Sequence, residues 1–459
     1  MKGPGLENSR PSVAERPPRP KAAPTSPLTK SVRAKHKEFL FPATIQYYRE
    51  PIVPTEGKGL RLKDADGNEY LDFFGGILTV SVGHAHDRVN AAIKAQVDRF
   101  SHVSTLYPTL PVVELAERLA RLAPGNLKQS CFTASGTEAD ETAVMMAQLS
   151  TGSTEIVALR HGYSGRSLLA QSLTGHATWR ALPTQVAAIK HGPAPYCYRC
   201  PLKLTYPSCG VACARDLEEL IRTTTTGRIA GFLAEPIQGV GGFITPPPEY
   251  FEIAVGIVKK YGGVFICDEV QTGFGRTGGT WWGIEHWGVT PDIMTMAKGV
   301  ANGLPLGVTI ATPEIAASLK ALTISTFGGN PISTAAANAT IQIIEEENLP
   351  QNAANMGRLL REGLEELKRR FPKNIGDVRG MGLMQGVELV EDETAGNRAP
   401  EKALTSRVFE EARKRGLLVG KGGLDSNCFR IAPALTVTEP DIREALEILR
   451  EAFAAAGAK

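Results

Sequence analysis

The sequence predicts an α/β protein in which a large domain, built on a mostly parallel sheet flanked by helices, is joined to a smaller α+β domain. Two observations predict it. From Val112 onward, helical patterns such as VVELAERLARLA alternate with the short apolar runs EIVALR, IAGFLAE, GVFICDE, DIMTMAK and GVTIAT, the rhythm of strands joined by crossover helices. After Phe327-Gly-Gly-Asn-Pro331 the pattern changes to long helical stretches, then strands around MGLMQGVELV and a closing helix. With 459 residues and 42% hydrophobic content the chain can bury more than one core.

Taken in order, residues 1–35 are rich in Pro, Lys, Arg and Ser and read as a disordered arm. Glu7, Glu15 and the prolines spoil the amphipathic helix that a transit peptide needs. Residues 36–84 read as an N-terminal segment joining the small domain. Within it, Gly59 to Phe74 alternates apolar and polar residues around Asp66-Gly67-Asn68, which predicts a β-hairpin. Residues 85–330 are assigned to the large domain and 331–459 to the small one.

Composition narrows the partners. A formal net charge of +3 is too small for a nucleic-acid or membrane surface, so a small metabolite is expected. No apolar run approaches the roughly 18 residues that cross a bilayer. Four of the seven cysteines crowd into Cys197, Cys200, Cys209 and Cys213, which is not a disulfide framework for a chain this long. A reducing compartment fits, the cytoplasm, or the mitochondrial matrix if the arm were a transit peptide. Those four thiols could supply a structural zinc, but the pairs stand close together, and free thiols in a surface loop are the plainer reading. His84 and His86 lack a third ligand. No metal is assigned to either group.

Three features sit where an open α/β sheet places ligands, at strand ends and helix starts. Ser135-Gly136-Thr137-Glu138 follows the strand-like CFTA and opens a helix, so its small residues can present backbone N–H groups to a phosphate. Taken alone it is an ordinary helix cap. The apolar run Val264 to Cys267 ends in Asp268 and Glu269. Lys298 follows a third strand end among small residues, and a buried lysine can lose its proton and form a Schiff base.

From about residue 40 onward the chain resembles the class III aminotransferases, pyridoxal-phosphate (PLP) enzymes of fold type I, and in particular the mitochondrial-type alanine-glyoxylate aminotransferases. The resemblance rests on YLDFFGGILTVSVGHAH, ASGTEADE, AEPIQGVGG, ICDEVQTGFGRTG, MAKGVANGLPLG, STFGGNP and FRIAPAL, in that order. It implies that Lys298 carries the cofactor as a Schiff base and shuttles the proton between the substrate Cα and cofactor C4′. Asp268 would pair with the ring nitrogen, Gln271 would bond the ring oxygen and Tyr163 would stack on the ring. Ser135, Gly136 and Thr137 would hold the phosphate together with Thr326 of a second subunit, and Glu235 of AEPIQGVGG joins the cofactor set. A homodimer with shared active sites is therefore implied, and dimers could pair into tetramers.

Substrate recognition is implied for two arginines, since a guanidinium clamps a carboxylate through paired hydrogen bonds. Arg430 matches the arginine for the α-carboxylate, and Arg166 matches one that relatives use for a carboxylate placed differently. Several relatives carry Glu after EPIQG, where it masks the first arginine; this chain has Val240. Asp140 stands where Asn is usual, Ser164 where His is common and Asp87 where Pro is common. The expected activity is amino transfer from alanine, or a β- or ω-amino acid such as β-alanine or 3-aminoisobutyrate, to pyruvate or glyoxylate. The alternatives are a PLP lyase, decarboxylase or racemase on the same fold, and a non-catalytic PLP-binding regulator.

Overall fold

The computed structural model describes residues 25–183 and 186–459. The expected arm lies mostly outside these residues, but its end is corrected: a helix runs from Pro27 to Phe39, so ordered structure begins before residue 36. Its start is well built. Ser26 accepts a hydrogen bond from Thr29 N, Pro27 occupies the first turn, and Ser26 N and Thr29 Oγ1 both donate to Asp66 on the hairpin.

The N-terminal strands are β1 (Pro54–Lys58), β2 (Arg61–Asp64) and β3 (Glu69–Asp72), all antiparallel neighbours. The expected hairpin is β2–β3. Asp64 closes its turn by accepting from Asp66 N, Asn68 N and the Asn68 amide.

The large sheet has seven strands: β4 (Gln129–Thr133), β5 (Ile156–Leu159), β6 (Ile189–Gly192), β7 (Gly231–Ala234), β8 (Val264–Asp268), β9 (Ile293–Met296) and β10 (Gly307–Ala311). Their order is β4-β10-β9-β8-β7-β5-β6. Strands β5 to β9 are mutually parallel, and β10 runs antiparallel to both β9 and β4. Two reversals point β4 the same way as β9. The C-terminal ends of β4, β7, β8 and β9 therefore share one edge of the sheet. Strands β5, β7, β9 and β10 are buried at every residue, as expected for a sheet covered on both faces.

The C-terminal part carries β11 (Ile375–Met381), β12 (Met384–Asp392), β13 (Asn397–Pro400), β14 (Leu417–Leu418), β15 (Gly420–Gly422) and β16 (Cys428–Ile431). Strands β11-β12-β16-β15 form an antiparallel sheet. Strand β14 pairs in parallel with β3, aligning Leu417 with Leu71. Helices Pro331–Glu346, Leu349–Arg370 and Glu439–Ala455 stand where the long helical patterns place them. Among the described residues, no helix is long and apolar enough to cross a membrane.

Candidate active site

The shared edge of the large sheet encloses a cavity of about 330 Å³, and the sequence motifs converge on it. Ser135, Gly136, Thr137, Tyr163, Asp268, Gln271 and Lys298 all line it. So do Thr79 and Asp140, which the motif reading did not assign to the site. Thr79 comes from the N-terminal segment, inside YLDFFGGILTVSVGHAH, a stretch that carries the resemblance but to which no site role is given.

Lys298 follows β9 and adopts φ +45°, a left-handed conformation that costs a lysine energy and recurs at functional positions. Burial holds its amine below the ordinary lysine pKa, against the opposing pull of Asp268 and Glu235. A lysine so tuned supplies the free amine that a Schiff base requires. Asp268 closes β8; it is 4% exposed and accepts a hydrogen bond from Val270 N at 2.9 Å. Burial raises its pKa to about 6, with Val270 N–H and Lys298 pulling it down.

On the opposite wall, β4 turns into the helix Gly136–Thr151, capped by Ser135. Ser135 Oγ accepts from Glu138 N and donates to Glu138, whose carboxylate also accepts from Ala134 N. The helix cap and the phosphate-site reading are therefore two uses of one turn, since the remaining N–H groups of the first turn stay available to an anion. Gly165 makes the adjacent chain close enough: at φ +131°, a Cβ on it would stand 2.1 Å from Thr137 Oγ1.

Gln271 is buried beside Gly239, whose missing Cβ would stand 2.1 Å from the Gln271 amide nitrogen, and Gln271 Oε1 has no partner among the described residues. Glu235 accepts from Tyr163 N at 3.1 Å and Gly239 N at 2.7 Å, which ties the aromatic residue to the loop that carries Gln271's neighbour. The Tyr163 ring packs edge-on against Trp179 at 5.9 Å. A flat, phosphorylated pyridine carrying an aldehyde suits this cavity. It can offer the lysine a carbonyl carbon, Asp268 a basic ring nitrogen, Gln271 a polar ring substituent and the helix start a dianion.

Arg430 lies on β16, opposite Gly386 and Gly420, and is 2% exposed. Its Nε donates to Lys421 O at 3.0 Å. Its two terminal nitrogens make only long bonds, each 3.4 Å, to Gly239 O and to the Tyr47 hydroxyl. The guanidinium stands over Phe74 at 4.8 Å and near Phe243 at 5.8 Å, and no carboxylate pairs with it among the described residues. Arg166, by contrast, is exposed and outside the cavity lining, and Thr326 is exposed on the loop before Pro331.

The remaining candidates lie elsewhere. Cys197, Cys200, Cys209 and Cys213 line one small apolar pocket as free thiols, and among the described residues no three His, Cys, Asp or Glu side chains gather to hold a metal. His84 bonds Asp72 at 2.9 Å, and the same carboxylate accepts the N–H groups of Phe74 and Gly75.

The family model described as "Aminotransferase class-III" matches residues 45–453. Alanine-glyoxylate aminotransferase 2 homolog 2, mitochondrial, of Arabidopsis thaliana is 44% identical over 418 residues, covering 91% of this chain and 86% of the relative. The human alanine-glyoxylate aminotransferase 2, mitochondrial, is 40% identical over 438 residues, covering 91% and 85%. Among solved structures, an amine transaminase from an uncultivated Pseudomonas species, in its PLP-bound form, superposes with a TM-score of 0.85 at 35% identity, covering 92% of this chain and 99% of that one. The buried lysine and aspartate at adjacent strand ends and these likenesses lead to one conclusion: the chain belongs to the class III aminotransferases, enzymes that transfer amino groups with pyridoxal phosphate.

Proposed function

We propose that the chain moves an amino group from alanine, or from a β- or ω-amino acid such as β-alanine or 3-aminoisobutyrate, to pyruvate or glyoxylate. One observation carries the reading: Arg430 is a buried cation with no acidic partner among the described residues, beside the cavity that holds Lys298. A charge so placed is costly unless an anion completes it, and a substrate carboxylate next to the reacting carbon is the anion that fits. Val240, 7% exposed, stands next to Gly239 and cannot neutralise it.

Within this reading, Lys298 holds the cofactor and then moves the proton at the substrate Cα. Asp268 keeps the ring nitrogen protonated, Gln271 bonds the ring oxygen, Tyr163 covers the ring, and Glu235 holds the Tyr163 backbone in place. Ser135, Gly136 and Thr137 bind the phosphate. When bound, pyridoxal phosphate supplies the electron sink that stabilises negative charge at Cα. Arg166, exposed at the Tyr163 turn, is the second carboxylate contact for donors with a distal amine.

Thr326 completes the phosphate site of a second copy. The support is its exposure beside Leu322, Ile324 and Phe327, which are 105%, 61% and 64% exposed in the single chain, an apolar stretch that a homodimer would cover. The β3–β14 pairing supports a domain division in which 36–84 joins 331–459 against 85–330. The free thiols suit the cytoplasm.

The test follows the visible absorbance of the purified holoenzyme as L-alanine and then β-alanine are added. Conversion by alanine alone supports Arg430 as the single clamp, and conversion by both gives Arg166 its role. If neither amine changes the spectrum, the donor assignment fails. Release of CO₂ or phosphate without amino transfer would favour the lyase reading.

A further inference from the structure

Three carboxyl groups surround Lys298. Asp268 ends β8, Glu235 follows β7, and Asp140 stands on the helix Gly136–Thr151; each pulls on the lysine's charge. Asp140 is 1% exposed, and it lines the same cavity as Asp268 and Lys298. If all three ionised, one lysine would face three buried negative charges, with Arg430 the next cation out. Burying an uncompensated charge is expensive, so one acid keeps its proton.

The hydrogen bonds show which one. Both oxygens of Glu235 accept backbone N–H groups, from Gly239 and Tyr163; burial and Asp268 raise its pKa to about 8, and these two bonds hold it from rising further. Asp268 accepts Val270 N on Oδ1, and its other oxygen is the one available to a ring nitrogen. Asp140 accepts only the Thr295 hydroxyl, at 2.7 Å on Oδ1, and its Oδ2 has no protein partner among the described residues. Thr295 is the residue paired with Asp268 in the β8–β9 register, so the strand that positions Asp268 also holds Asp140. The groups whose charges Asp140 feels are Asp268, Glu235 and Lys298. Burial and Asp268 together push its proton affinity well above that of an ordinary aspartate.

We infer that Asp140 is a positioning residue of the cofactor site: it is the acid of this trio that holds its proton most firmly, leaving Asp268 free to ionise toward the cofactor ring. The inference rests on the PLP reading of the site. As pH rises Asp140 loses that proton, and the new negative charge beside Asp268 favours the protonated form of the bound cofactor.

The test uses the wild-type holoenzyme and Asp140→Asn. Infrared difference spectra near neutral pH are expected to show, in the wild type, the carbonyl stretch of an un-ionised carboxylic acid that the Asn variant lacks. In the variant, the pH at which the bound cofactor's visible absorbance changes form is expected to match the wild type's as long as the acid band persists at that pH, because protonated Asp140 and Asn are both uncharged, and to fall below it only where the band has gone. A wild type without the acid band, or absorbance transitions that differ while that band persists, overturn the inference. If the variant fails to fold, the wild-type band alone decides: its presence near neutral pH supports the proposal and its absence refutes it. Failure of the PLP reading is distinguishable, because the protein would then hold no absorbing cofactor at all.

Discussion

Replacing Arg430 by Gln tests the substrate assignment most directly. In the wild type the guanidinium gives up little to bind a carboxylate: its terminal nitrogens have only 3.4 Å contacts, and its one good bond runs from Nε to Lys421 O. Two charge-assisted bonds to a carboxylate, at about 1.5–3 kcal/mol each, are therefore gained almost in full, and their loss should cost about 3–5 kcal/mol of transition-state binding. That corresponds to a fall of about 150- to 5,000-fold in kcat/KM for L-alanine. Arg430→Lys keeps the charge without the planar fork and should lose about half as much in free energy. The assay is the single-turnover absorbance change of the bound cofactor with L-alanine and, separately, with an amine that has no carboxylate. Because only the first donor uses the clamp, the ratio of the two rate constants should fall at least about 100-fold in the Gln variant. A ratio that stays within about threefold refutes the reasoning, since Arg430 would then act on both donors alike through packing against Phe74 and Phe243.

Val240→Glu should place a carboxylate next to Gly239, whose carbonyl already contacts Arg430; KM for L-alanine is expected to rise about tenfold or more, and an unchanged KM means the clamp is not masked from this position. Gly165→Ala puts a methyl 2.1 Å from Thr137 Oγ1 at a φ of +131°. Titration of the cofactor-stripped variant should show cofactor affinity reduced at least about tenfold, whereas wild-type affinity would clear this turn of a role in phosphate binding. The pKa of Asp268 is raised to about 6, so its ionised form, which the ring nitrogen needs, exists above that pH and is lost below it. Cofactor affinity of the stripped protein should drop about tenfold per unit below about pH 6, and Asp268→Asn should flatten that limb; a flat wild-type profile contradicts the pairing. Glu388, 1% exposed, pairs with both Arg379 and Arg199 and accepts the Tyr196 hydroxyl. Glu388→Gln strands Arg199 and leaves Arg379 with Asp377 as its acidic partner, and should cost about 3–5 kcal/mol in urea unfolding, while a loss under about 1 kcal/mol would mean the cluster is solvent-relaxed.

Much of the fold was legible because strands and helices announce themselves through the spacing of neighbouring residues. Five apolar runs became β5, β7, β8, β9 and β10, and the Asp66-Gly67-Asn68 turn became the β2–β3 hairpin. Strand β6 escaped, because its sequence Ile-Lys-His-Gly spans only four positions, with half-buried Lys190 and His191 between its buried ends, and carries charge. The helix Pro27–Phe39 was misread as arm because its composition is polar. What orders it is a cap at Ser26 and a contact with Asp66 40 residues away.

By itself the sequence determined where the reactive groups sit along the chain: Lys298 and Asp268 at the ends of strands, Ser135 to Thr137 at a helix start. Local pattern suffices for that, since each is a matter of residues within one element. Tertiary structure alone decided which of them meet. Tyr47 touches Arg430 across 383 positions, and Asp140 reaches Thr295 across 155. Burial, and with it the lowered pKa of Lys298 and the raised pKa of Asp268, is likewise a property of the packed neighbours rather than of the residue. The chemistry follows from desolvation and distance, and neither exists until strands far apart in the chain lie side by side.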